Sequence, residues 1–101
     1  MGIYLVERYL PDARLDELRS LAERLELATA RLRADGTPVR YLDSTFVPEE
    51  ESCFCRFEAS SARVTALANQ LARAPYARIS AAVALARPGE EPGEGSAARA
   101  R

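Results

Sequence analysis

A chain of 101 residues with 14 basic and 15 acidic side chains and no histidine has room for one modest core, and its near-neutral balance excludes the long-range field that nucleic acid or an anionic membrane selects. No apolar run approaches the roughly 20 residues that span a bilayer, and Met1-Gly2-Ile3-Tyr4 leads straight into a strand-like segment without the basic and apolar regions of a secretory signal. The expectation is a soluble cytoplasmic protein without nucleic-acid or membrane partners, and so short a chain gains from dimerisation.

Residues 2–10 read as the first strand, with Ile3, Leu5 and Tyr9 on one face and Tyr4, Val6 and Leu10 on the other. Apolar residues on both faces mark a central strand. Glu7 and Arg8 sit inside it, where a charge costs several kcal/mol unless it is paired, hydrogen-bonded or wet. Each therefore holds the fold together or faces a pocket. Pro11-Asp12 supplies a turn and an N-cap, and Asp16 and Glu17 place negative charge at the positive end of a helix dipole. Leu15, Leu18, Ala22, Leu25, Thr29 and Leu32 then recur at helical steps, predicting a long amphipathic helix over 13–34 that Gly36 closes.

Pro38 to Phe46 reads as the second strand, Val47 to Ser52 as a hairpin connection, and Cys53 to Glu58 as the third strand. Ser60 or Ser61 caps a second helix carrying Val64, Leu67, Ala68 and Leu71, which stops before Pro75. Ile79 to Leu85 closes the domain as a fourth strand. The domain spans 1–87, and 88–101, with two prolines and three glycines, reads as a disordered tail. This order is the split βαβ pattern of the α+β ferredoxin-like fold: a four-stranded antiparallel sheet with both helices on one face. With Tyr4, Val6, Leu42 and Phe54 assigned to the uncovered face, that face becomes an apolar patch and the chain is expected to be a homodimer.

Glu7 is the first candidate site residue, as a metal ligand, base or ligand anchor; the structural alternative is a cross-strand pair with Arg56 or Arg78. Arg8 points to the other face, with Glu58 or Asp43 as its options. Cys53 and Cys55 share a strand face at a spacing that strains a mutual disulfide, so they are expected to be reduced. They are either space-filling core or a pair of soft ligands. Glu49-Glu50-Glu51 lacks the converging oxygens of a hard-cation site and reads as a solvated hairpin tip. Tyr4, Arg40, Tyr41 and Phe54 are the candidates for lining a small-molecule site, with dimer core as the alternative for the aromatic three. No phosphate loop, zinc spacing or nucleophile–histidine arrangement is present.

Tyr4-Leu5-Val6-Glu7-Arg8, Val39-Arg40-Tyr41-Leu42 with Ser44, Phe54-Cys55-Arg56-Phe57-Glu58-Ala59, and Pro75 with Arg78-Ile79 together resemble a family of small ferredoxin-like bacterial proteins. That family, formerly a domain of unknown function, includes a nickel-responsive, nickel-binding homodimer, and the resemblance covers about residues 3–86. Members typically carry a histidine in the second helix, within a run such as Arg-Glu-His-Ala; the corresponding stretch here is Ala66-Leu67-Ala68-Asn69. Without imidazole a divalent ion relies on carboxylate, thiolate, backbone or water. The resemblance thus implies a small homodimeric binding protein with a reduced or lost metal site, any remaining transition-metal site drawing on Glu7, Asp43, Cys55 and Glu58. The alternative, by analogy of fold alone, is a dimeric α+β barrel that binds an organic small molecule or turns it over without a cofactor.

Overall fold

The expected order is realised as β1 (Gly2–Tyr9), α1 (Leu15–Ala34), β2 (Val39–Val47), β3 (Ser52–Ala59), α2 (Ala62–Leu71) and β4 (Arg78–Ala82) in the computed structural model, which describes residues 1–89. The strands form one sheet in the order β2-β3-β1-β4, every neighbouring pair antiparallel. The fold is ferredoxin-like α+β. Both helices cover one face, and the core lies between them and Val6, Cys53, Cys55, Phe57 and Ala59. The residues assigned to the disordered tail from 90 onward lie outside the described residues.

Register decides which residues share a face, since directly opposed residues of antiparallel strands point the same way. Tyr4 opposes Phe57, Val6 opposes Cys55 and Arg8 opposes Cys53, so these six face the helices. Ile3, Leu5 and Glu7 oppose Glu58, Arg56 and Phe54 on the uncovered side. The expected apolar patch is corrected accordingly. Tyr4 and Val6 belong to the core side, Leu42 falls in a register irregularity of β2 between Tyr41 and Asp43, and of the four only Phe54 lies on the open face.

The helices differ from expectation in phase. α1 starts at Leu15 instead of 13, and Arg14, not Asp12, is its N-cap, with the Glu17 carboxylate accepting the Arg14 backbone N–H at 2.8 Å. Its buried stripe is Leu21, Leu25, Ala28, Thr29 and Leu32, while Leu15 is exposed. Asp12 instead takes a left-handed turn conformation (φ 56°) and donates its N–H to the Glu51 carboxylate at 3.0 Å. Glu51 also accepts the Tyr9 hydroxyl at 2.8 Å, and its carbonyl accepts the Leu10 N–H at 2.7 Å. The acidic hairpin is therefore not merely solvated: its last member ties the β2–β3 turn to the β1–α1 loop.

Ser61 caps α2, its hydroxyl accepting the Val64 N–H at 3.1 Å. The helix buries Thr65, Ala68 and Asn69 and leaves Leu67 and Leu71 exposed. β4 ends at Ala82 opposite Ile3, so the expected continuation through Val83 and Leu85 is unpaired with β1.

Candidate functional site

The residues proposed as a metal set separate onto two sides of the sheet. Glu7, Asp43 and Glu58 are on the open face, and Cys55 is buried beneath the helices. Two of the three carboxylates are engaged by arginine. Glu7 accepts from Arg78, its direct β4 neighbour, at 2.7 Å, the cross-strand pair foreseen as one alternative. Asp43 accepts both Nε and Nη2 of Arg56 at 2.8 and 2.6 Å, and that forked contact holds its carboxyl below the usual carboxylate range. Glu58 opposes Ile3 and Arg40. Among the described residues no three His, Cys, Asp or Glu side chains come together to hold a metal ion. The four-residue aromatic and arginine set divides in the same way, with Arg40 and Phe54 outside and Tyr4 and Tyr41 inside.

On the helix-facing side a different group assembles. Tyr41 packs its ring against Phe57 with centroids 5.6 Å apart, and its hydroxyl lies 2.6 Å from Ser44 Oγ. Ser44 Oγ lies 2.9 Å from Cys55 Sγ, which lies 3.9 Å from Cys53 Sγ. These four side chains make a continuous polar line along the helix-facing side of β2 and β3. Strand alternation explains it: Tyr41 opposes Phe57, Ser44 opposes Cys55, and Cys53 and Cys55 are two apart on β3. The irregularity at Leu42 shifts the phase of β2, which lets Tyr41 and Ser44, three apart, share the inner face. Bulges of this kind commonly re-aim side chains at functional sites.

Arg8 joins the group from β1. It is 2% exposed, yet among the described residues no carboxylate meets it. Its Nη1 donates to the carbonyls of Ala74 and Pro75 at 3.0 and 3.1 Å, and Nη2 donates to Asn69 Oδ1 at 2.6 Å. Asn69 is itself oriented by donating Nδ2 to the Thr65 carbonyl at 2.8 Å. The expected partners Glu58 and Asp43 are on the far face, which is why neither pairs with it. Among the described residues the Arg8 Nε has no hydrogen-bond partner. Hydrogen bonding from Cys53, then from Ser44, together with the Arg8 charge, overcomes burial and draws the Cys55 thiol down to about 6. The hydrogen bond to Cys55, burial and the Cys55 charge push the Cys53 thiol up. Both cysteines are free thiols, as expected.

A cleft of ≈ 390 Å³ opens between α1 and β2 over this line, walled by Leu18, Leu21 and Ala22 on the helix and by Tyr41, Ser44 and Cys53 on the sheet. Tyr41 and Cys55 were visible in the sequence as candidates; Ser44, Arg8 as a partner of thiols, and Asn69 were not. The available signal was alternation, since Arg8 shares a face with Val6 and must be buried with it.

No family model matches the chain, and no curated protein matches it. Among solved structures, SCO4226 from Streptomyces coelicolor A3(2) is similar, with a TM-score of 0.69 and 16% identity, over 84% of this chain and 100% of that one. The likeness is one of fold. None of the described helices is long and apolar enough to cross a membrane.

Proposed function

We propose that this chain is a small homodimeric binding protein whose ligand site is the cleft between α1 and β2, not the carboxylates of the open face. The observation that carries the reading is the line Tyr41–Ser44–Cys55–Cys53, with contacts of 2.6, 2.9 and 3.9 Å, which meets an apolar cleft at Cys53. Ligand sites are concave and mostly apolar, with few placed polar groups, and this is such a combination. The arginine pairs on Glu7 and Asp43 argue against those carboxylates as ligands, since a metal ion would have to displace them. Glu58 has no two further ligating side chains gathered around it among the described residues, so a metal role of the kind the family resemblance implies rests on the thiols. Half-buried Ile3, Leu5 and Phe54 on the open face support association with a second copy.

Ligand-observed NMR with small apolar molecules bearing one hydrogen-bonding group tests the cleft. Ala22→Phe fills it from the helix side, and Ser44→Ala removes its polar anchor without disturbing a buried position. The expected result is binding that Ala22→Phe abolishes and Ser44→Ala weakens, in variants whose circular dichroism matches the parent. Binding indifferent to both substitutions places the ligand elsewhere.

A further inference from the structure

The same two cysteines carry a more specific reading of the site. We infer that Cys53 and Cys55 form a two-thiolate site for a soft monovalent cation of the Cu(I) class, with Arg8 as its fixed counter-charge. The inference rests on the cleft as the route of entry, because Cys53 is the member of the pair that lines it.

The sulfurs are 3.9 Å apart on one strand face, and two metal–thiolate bonds of about 2.3 Å span at most about 4.6 Å. An ion therefore fits between them in a bent arrangement, and a side-chain adjustment under about 1 Å opens it to linear.

Zinc and nickel ask for further nitrogen, sulfur or oxygen donors, whereas soft thiolates select Cu(I). The chain has no histidine, and among the described residues no third Cys, Asp or Glu converges on the pair.

Charge then separates monovalent from divalent ions. Two thiolates and one monovalent cation carry a single negative charge, which the 2%-exposed Arg8 guanidinium cancels. A divalent ion in the same place leaves a net positive charge in the core, where an uncompensated charge costs several kcal/mol. Arg8 lies directly opposite Cys53 across the β1–β3 register, and among the described residues it has no carboxylate partner and its Nε is unpartnered. Binding forms two S–Cu bonds, and the protons of the two S–H groups leave to solvent; no electron is transferred.

The test is anaerobic titration of the reduced full chain with Cu(I) against bicinchoninate. One ion per chain is expected, with near-ultraviolet thiolate-to-metal absorption and two sulfur scatterers by X-ray absorption. Cys53→Ser and Cys55→Ser should each weaken binding beyond the roughly 100-fold that outer-shell changes cost, and Arg8→Met by roughly 10- to 100-fold. Serine variants that bind like the parent, coordination by oxygen or nitrogen alone, or displacement of Cu(I) by equimolar Zn(II) each overturn the inference. Should a variant fail to fold, the absorption measurement on the parent decides. Absent Cu(I) binding with fragment binding intact refutes the ion and leaves the cleft; Cu(I) binding without fragment binding refutes the cleft as a small-molecule site.

Discussion

Arg8 is held by two carbonyls and a side-chain amide, none of them charged, so its charge is left to favour an anion beside it in the core. The Cys55 thiol, drawn down to about 6 by Cys53, Ser44 and Arg8, is the group that gains from it. A testable pH dependence follows from that pairing. In the folded chain Cys55 loses its proton above about 6, whereas in the unfolded chain a thiol keeps it until about 8.5. Between those values the unfolded state binds the extra proton, so stability rises with pH across the window and this contribution is lost as pH falls through about 6. Above about 8.5, an ordinary thiol value, the gain stops because the unfolded Cys55 has lost its proton too, and Cys53, held protonated in the fold, makes stability fall with pH from there. Urea unfolding at intervals across this range should show the rise, and Cys55→Ala should flatten it. An unchanged slope in that variant places the compensating anion elsewhere.

For the elements, what the sequence makes legible is their kind and order, and what it leaves open is which face they bury. The alternation of β1 offers two apolar faces, Ile3 and Leu5 against Tyr4 and Val6. The deciding residue is Arg8, whose burial depends on carbonyls of Ala74 and Pro75 more than sixty positions away. No local pattern reports such a partner. The Glu7–Arg78 pair, by contrast, was readable because both lie on strands whose antiparallel pairing follows from the element order. The same limit applies to α2, where the two leucines suggest one stripe and the structure buries another, built from Thr65, Ala68 and Asn69. Small residues sit inward there because the helix packs close and Asn69 must reach Arg8. Leu67→Gln and Leu71→Gln should therefore change stability by no more than about 0.5 kcal/mol, as surface changes do. Ala68→Leu, which overpacks a fully buried position, should cost about 1–3 kcal/mol. Chemical denaturation of the three variants checks the order; a larger loss at Leu67 or Leu71 would put those side chains in an interface.

For the whole molecule, the apolar surface that matters lies at one end of the sheet. β4 stops pairing at Ala82, yet the strand-like alternation of Ile79 and Ala81 continues through Val83 and Leu85, which are 84% and 89% exposed. Two large apolar side chains standing free beyond an edge strand invite pairing with another chain unless they are covered. A second copy offers the same segment in return, and a two-fold arrangement of identical edges is self-complementary. The open face adds Ile3, Leu5 and Phe54 beside the Glu7–Arg78 and Asp43–Arg56 pairs, so an interface continuous with this end has both apolar surface and charge to fix its register. Sedimentation at tens of micromolar should accordingly report twice the chain mass. Replacing Val83 and Leu85 together by lysine should yield a monomer that keeps its circular dichroism, because neither side chain belongs to the core. A monomeric parent overturns the homodimer. A dimer that tolerates both lysines shifts the interface onto the sheet face, where Phe54→Asp is the substitution that should then break it, since Phe54 lies on that face opposite Glu7 and Thr45 and away from the helices.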